Sequence, residues 1–141
     1  MWTYFFYGTL RDPEIARIIL GRPLSGLAPT AAKLRGYRAV CVAGASYPGL
    51  VAAPDDVDAS VIGIVVSRLS GLDVSRLDRY EGPEYATEDV VVQTSDGATV
   101  EARVYLPCAA LQLADKTWSL TDWQRQDKKR FIGGLRRKAL L

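Results

Sequence analysis

The run Trp2-Thr3-Tyr4-Phe5-Phe6-Tyr7-Gly8-Thr9-Leu10-Arg11-Asp12-Pro13-Glu14 carries more of the fold than any other stretch of the chain. Aromatic residues and Thr3 over Trp2–Tyr7 favour a strand, with Tyr4 and Phe6 on one face and Phe5 and Tyr7 on the other. Both aromatic faces read as core. Gly8 breaks the strand. Asp12-Pro13-Glu14 then opens a helix with a capping side chain, a proline at the first helical position and an acid in the first turn. Ile15, Ile18 and Ile19 follow at helical spacing, and Gly21 with Pro23 stops the helix. A strand therefore runs through a tight glycine turn into a short helix.

Outward from that unit, Ala31–Val42 is strand-like with a bend or bulge at Gly36, and Ser46-Tyr47-Pro48-Gly49 reads as a turn or ordered loop. Val61–Val66 is continuously apolar and β-branched around Gly63, as in a strand covered on both sides or bent in a barrel wall. Asp73–Tyr80 fits a two-turn helix capped by Asp73 and closed by Gly82-Pro83. Asp89–Thr94 and Thr99–Leu106 form a hairpin through Ser95-Asp96-Gly97-Ala98. In its second strand Val100, Ala102, Val104 and Leu106 share one face, and Thr99, Glu101, Arg103 and Tyr105 the other. Near the end, Thr121-Asp122-Trp123-Gln124 resembles a capping box. It opens a helix whose face carries Trp123, Phe131 and Leu135 until Gly133-Gly134 loosens it. The reading is α+β: five or six strands, mostly antiparallel and curled, with short helices.

A chain of 141 residues, 48% hydrophobic and 24% charged, is expected to form a single domain, 1–141, with an ordinary core. No histidine is present, which removes imidazole-based triads, His-containing metal sites and an imidazole proton switch. Cys41 and Cys108 are too few for a disulfide framework, point to a reducing compartment, and read as small buried apolar residues. No metal or cofactor is expected. The first cation is Arg11, and the longest uncharged run, the 16 residues Ala39–Pro54, is broken by Pro48. Neither a targeting signal nor a membrane span is expected, so the localisation expected is cytoplasmic, without a membrane partner. Residues 124–141 hold seven basic side chains against Asp127 alone. Without an aromatic-and-basic RNA signature this tail reads as a solvated terminal helix, and a nucleic-acid partner is not expected.

Two local constellations have chemical potential. In Tyr7-Gly8-Thr9-Leu10 the glycine lets successive backbone N–H groups converge, and the next helix start adds partial positive charge. Such a turn suits a carboxylate, a phosphate or a developing oxyanion. In Leu77-Asp78-Arg79-Tyr80-Glu81-Gly82-Pro83-Glu84-Tyr85, Glu81 sits in the last turn of a helix. There the negative end of the dipole disfavours its ionised form, which would make it a serviceable general base. Local sequence does not select it over Asp78 or Glu84.

Taken in order, Tyr7-Gly8-Thr9-Leu10, Leu34-Arg35-Gly36-Tyr37, Tyr47-Pro48-Gly49-Leu50, Val61-Ile62-Gly63, the Leu77–Tyr85 segment and Ala102-Arg103-Val104-Tyr105 resemble the γ-glutamylcyclotransferase-like superfamily. The branch is the one with γ-glutamylamine cyclotransferases and plant avirulence-induced proteins. The resemblance covers about residues 3–106. It implies a small mixed β-barrel of five to six strands flanked by helices over 1–106, followed by a basic, partly helical extension over 107–141. It implies an enzyme that closes the γ-glutamyl group of a small-molecule substrate into 5-oxoproline and expels an amine, without a cofactor. Glu81 would be the acid/base, with Tyr7, Gly8, Thr9, Leu10 and Tyr85 binding substrate; Tyr105 would help shape the wall. The alternative is a non-catalytic protein on the same fold, binding a small carboxylate or an interaction partner. Arg11-Asp12-Pro13-Glu14 departs from the Lys/Gly/Asn-containing stretch of the γ-glutamylamine enzymes, so the leaving amine stays open, as does the oligomeric state.

Overall fold

The computed structural model describes residues 1–108 and 112–139. Five strands close a barrel in the order β1 (Trp2–Phe6), β5 (Ser60–Leu69), β2 (Thr30–Arg35), β6 (Tyr85–Thr94) and β7 (Thr99–Pro107). Every pairing is antiparallel except the closing one, where β1 runs parallel to β7 with Tyr4 opposite Arg103. A second sheet, in the order β4 (Pro48–Ala52), β3 (Tyr37–Val42) and β8 (Leu113–Thr117), packs beside it. Four helices complete the fold: α1 (Pro13–Leu20), α2 (Gly71–Glu81), α3 (Leu120–Gln126) and α4 (Lys128–Ala139). This is the mixed, mostly antiparallel α+β barrel expected. Among the described residues no helix is long and apolar enough to cross a membrane.

Alternation along β1 sorts two cores. Phe5 and Tyr7 fill the barrel with Leu34, Val61, Val65, Val92 and Val104. Tyr4 and Phe6 face the helices, against Ile15, Leu20, Leu77, Trp123 and Ile132. Inside the barrel Gly63 leaves no room for a side chain: a Cβ there would lie 2.3 Å from the Phe6 carbonyl oxygen and 2.7 Å from the Phe5 ring.

The local signals at α1 hold. Asp12 caps it, accepting from the N–H groups of Glu14 and Ile15, Pro13 opens it, and Gly21 ends it at φ +74°. Elsewhere the structure corrects the sequence reading. Gly36, at φ +84°, divides Ala31–Val42 into β2 and β3, which lie in different sheets. Pro48 and Gly49 begin a strand rather than forming a loop, because their partners Val40 and Cys41 on β3 extend them. The α2 cap is Ser70, with Asp73 as its capping-box partner and an ion pair from Arg22 to Asp73. Of the two readings of Val61–Val66 the barrel wall holds and cover on both sides does not: β5 is a barrel strand on which Ile62 is 68% exposed. Cys41 and Cys108 are half-buried rather than buried. The helix expected from Thr121 is two helices, broken at Asp127, and Ser119 rather than Thr121 caps the first. Gly133 and Gly134 lie within the second helix without ending it.

Candidate active site

The parallel closure of the barrel gathers one site at one end. Running in the same direction, β1 and β7 finish side by side, which puts Tyr7-Gly8-Thr9-Leu10 next to Tyr105. Antiparallel to β7, β6 starts where β7 finishes, with Tyr85 opposite Pro107. The residues just before β6 are the end of α2, so Glu81 arrives at the same place. Together these residues line a cavity of about 420 Å³, completed by Tyr47 just before β4, by Pro48 at its start and by α4. Tyr7, Gly8, Thr9, Leu10, Glu81 and Tyr85, the site residues proposed from sequence, all face this one cavity.

Each side chain is held by its neighbours. The Tyr7 hydroxyl donates to the Tyr105 carbonyl at 2.8 Å, and the Tyr85 hydroxyl to the Pro48 carbonyl at 2.7 Å. Thr9 and Tyr80 share a 2.6 Å hydrogen bond between their hydroxyls. These bonds use the rings as walls and point their polar tips into the protein. Gly8 packs closely under Pro48: a Cβ would sit 3.0 Å from the proline ring. Thr9–Arg11 forms one 310 turn, in which the Gly8 carbonyl accepts from Arg11 N–H and the Thr9 carbonyl from Asp12 N–H. As in any first helical turn, the leading N–H groups lack an intrahelical acceptor. Among the described residues those of Gly8, Thr9 and Leu10 donate to no protein group.

Of the three acids at the end of α2, only Glu81 faces the cavity. Asp78 accepts from the Tyr105 hydroxyl at 2.6 Å, and the exposed Glu84 from Tyr47 at 3.2 Å. Glu81 makes no hydrogen bond or ion pair with any described residue, and burial pushes its carboxyl up to about 8. Desolvation penalises a charge that nothing nearby compensates. The surrounding phenols move the same way: burial first, and the Glu81 charge next, hold Tyr7 and Tyr85 above the ordinary tyrosine range. Burial and the bond to Asp78 do the same for Tyr105. All three rings stay neutral at physiological pH.

Tyr105 is 5% exposed and lines the cavity, although it shares a strand face with Glu101 and Arg103. Strand alternation cannot distinguish solvent from a covering helix, so its burial had to come from tertiary structure. The wall from α4, made by Arg130, Phe131, Gly134 and Leu135, was missed altogether. The shared face of Trp123 and Phe131 was the available signal. Their rings meet edge-on at 5.5 Å, and Phe131 also meets Tyr80 edge-on at 6.3 Å, next to Glu81. Nor is the tail simply solvated. Lys128 reaches Asp12 at 2.9 Å and Glu14 at 3.3 Å, and Arg136 reaches Glu14 at 3.5 Å. Among the described residues no cluster could hold a metal ion.

Comparison with known proteins gives this site its family. The family described as gamma-glutamyl cyclotransferase, AIG2-like, matches residues 4–125. The chain belongs to that family. Among its AIG2-like relatives in Arabidopsis thaliana, AIG2-like protein C is 28% identical over 131 residues, covering 91% of this chain and 72% of the relative. AIG2-like protein A is 27% identical over 133 residues, covering 91% and 75%. Among solved structures, the solution structure of an Arabidopsis thaliana protein superposes with a TM-score of 0.68 at 25% identity, covering 94% of this chain and 87% of the other. A structure described as gamma-glutamyl cyclotransferase has a TM-score of 0.61 at 20% identity, covering 80% and 68%, a likeness of fold. The AIG2-like match ends at residue 125, so the α4 wall of the cavity lies outside it.

Proposed function

We propose that this chain is a γ-glutamyl cyclotransferase-type enzyme, releasing 5-oxoproline and an amine from a γ-glutamyl substrate with Glu81 as acid and base. One observation carries the reading: Glu81, pushed up to about 8 and paired with no described residue, lines the same cavity as Gly8, Thr9 and Leu10, whose backbone N–H groups donate to no described protein group. The α-ammonium of a γ-glutamyl group stands beside its own free carboxylate and so holds its proton more tightly than a peptide N-terminus at about 7.7–8.0; a carboxyl raised to about 8 is a far closer match to it than an ordinary glutamate. The match suits a group that must take a proton and return it.

The substrate supplies its own nucleophile. The Glu81 carboxylate takes a proton from the α-ammonium, and the freed amine attacks the γ-carbonyl carbon. A carbon–nitrogen bond forms as the carbonyl electron pair moves to oxygen. The N–H groups of Gly8, Thr9 and Leu10 serve that oxyanion or the substrate's α-carboxylate. Collapse breaks the bond to the departing nitrogen, which Glu81 protonates. Two protons in all pass from the ring nitrogen to the departing one, so atoms and charge balance without water. The tyrosine walls fold the substrate so that amine and carbonyl meet.

The rival reading, a carboxylate-binding protein without turnover, fits a Glu81 facing bulk solvent or locked in a salt bridge; neither describes it here. The test is 5-oxoproline release from a panel of γ-glutamyl dipeptides and γ-glutamylamines. Glu81→Gln, which keeps the volume, should lower kcat/KM by about 10²–10⁴-fold. Full activity in that variant would remove Glu81 from the mechanism. Absence of release by the unaltered protein from the whole panel would sink the enzyme reading.

A further inference from the structure

The cavity has two unlike sides. One, made by Tyr7–Leu10 and Glu81, is accounted for by the γ-glutamyl group in the reading proposed above. The other belongs to α4 and carries Arg130, the one cationic side chain among the described residues that line the cavity. Arg130 is 79% exposed, so it stands at the rim rather than in the depth. Its backbone is fixed all the same, because the next residue, Phe131, is wedged against both Trp123 and Tyr80. One guanidinium nitrogen bonds Asp127 at 3.0 Å, one turn back. A guanidinium has five N–H donors, so that bond leaves most of the fork available, and the fork matches a carboxylate.

We infer that Arg130 selects the leaving group, favouring γ-glutamyl substrates whose departing amine carries a carboxylate, that is, γ-glutamyl amino acids and peptides over simple γ-glutamylamines. The inference rests on the cyclotransferase reading for the orientation of the substrate. The reacting carbonyl must lie near Glu81 and the backbone donors, so the part of the substrate beyond the scissile bond extends towards the remaining wall and the opening. That wall offers Phe131 and Leu135 to an apolar side chain and Arg130 to an anion. Glu81 is the one acid among the described residues that line the cavity, so the carboxylate with which a substrate must share Arg130 is that of Asp127, outside the cavity and bonded to one guanidinium nitrogen. A volume of about 420 Å³ lies within the range that takes small ligands of dipeptide size.

The test separates binding from turnover. In the Glu81→Gln background, calorimetry measures the binding of γ-glutamyl-alanine and of γ-glutamylethylamide, which differ by the alanine carboxylate alone. The alanine compound should bind about two- to fivefold more tightly, the upper part of the range for an exposed ion pair. The preference should shrink with added salt. Arg130→Gln, combined with Glu81→Gln, should bring the ratio close to one. Arg130→Glu should reverse it in favour of a γ-glutamyl diamine, whose leaving group carries a cation. Equal binding of the two compounds, binding of neither, or an equal loss of both on Arg130→Gln would overturn the inference. The last result would make Arg130 the anchor of the α-carboxylate instead. Turnover by the unaltered protein is scored separately. Discrimination in binding with no 5-oxoproline release sinks the cyclotransferase reading alone, and release without discrimination sinks this inference alone.

Discussion

Glu81 costs the fold something, and its charge sets the sign of a measurable effect. The folded protein holds the carboxyl up at about 8, and the unfolded chain lets it titrate in the ordinary range near 4.5. Between those values the folded state binds more protons than the unfolded state, so stability falls as pH rises. The contribution is complete below about 4.5 and is lost as pH passes through 8. Glu81→Gln cannot ionise and escapes the loss. The variant should therefore match the unaltered protein in denaturant at pH 4 and exceed it at pH 9, by at most about 5 kcal/mol. A variant less stable than the unaltered protein at pH 9 would mean that the carboxylate has a partner in the fold. The dipole of α2 could be read from sequence and gives the right direction. The larger cause, desolvation by the cavity walls, could not, because those walls come from four other segments.

At the scale of elements, the bond between the glycine loop and the tail matters most. Asp12 is fully buried and caps α1, and it also accepts from Gln124 at 2.9 Å and Lys128 at 2.9 Å. Burial works to raise its pKa, and the bonds from Lys128, Gln124 and the Ile15 N–H outweigh it, leaving the carboxyl below the usual range. Lys128 moves correspondingly upward, chiefly through its bond to Asp12. Lys128→Met leaves a buried charge with neutral donors only, and should cost about 3 kcal/mol, the lower end for breaking a buried pair because Lys128 is itself partly exposed. Amide exchange along α4 should quicken at the same time. Unchanged unfolding and unchanged exchange together would show that the pair does not hold the helix. Local chemistry was legible in this region: Asp12 as a cap, Pro13 at the first position, and Trp123 with Phe131 on one face. The break at Asp127 was not, because it follows from docking two short helices around the barrel rather than from a proline or glycine signal. For the same reason seven basic residues read as a solvated tail. The acids that receive Lys128 and Arg136 lie more than a hundred residues earlier in the chain.

At the scale of the whole molecule, stability hangs on the closeness of β1 to β5. Gly63 lets the Phe5 ring and the Phe6 carbonyl approach well inside van der Waals contact of where a side chain would start. The nearer of those is backbone, which cannot swing away. Gly63→Ala should therefore cost at least about 3 kcal/mol, the upper end for overpacking, and yield little folded protein. A thermal midpoint within a few degrees of the unaltered chain would show that the strands can part without loss.

The pairing of β1 with β7 also sets an order of events at the ribosome. Residue 4 cannot meet residue 103 until some hundred further residues have been made, roughly 5–20 s at about 5–20 residues per second. Its other edge is covered earlier, once β5 emerges. Until β7 follows, a strand of tyrosines and phenylalanines stands with one row of backbone groups unpaired. That interval, rather than any weakness of the finished barrel, is when this chain is most exposed to association with another copy of itself.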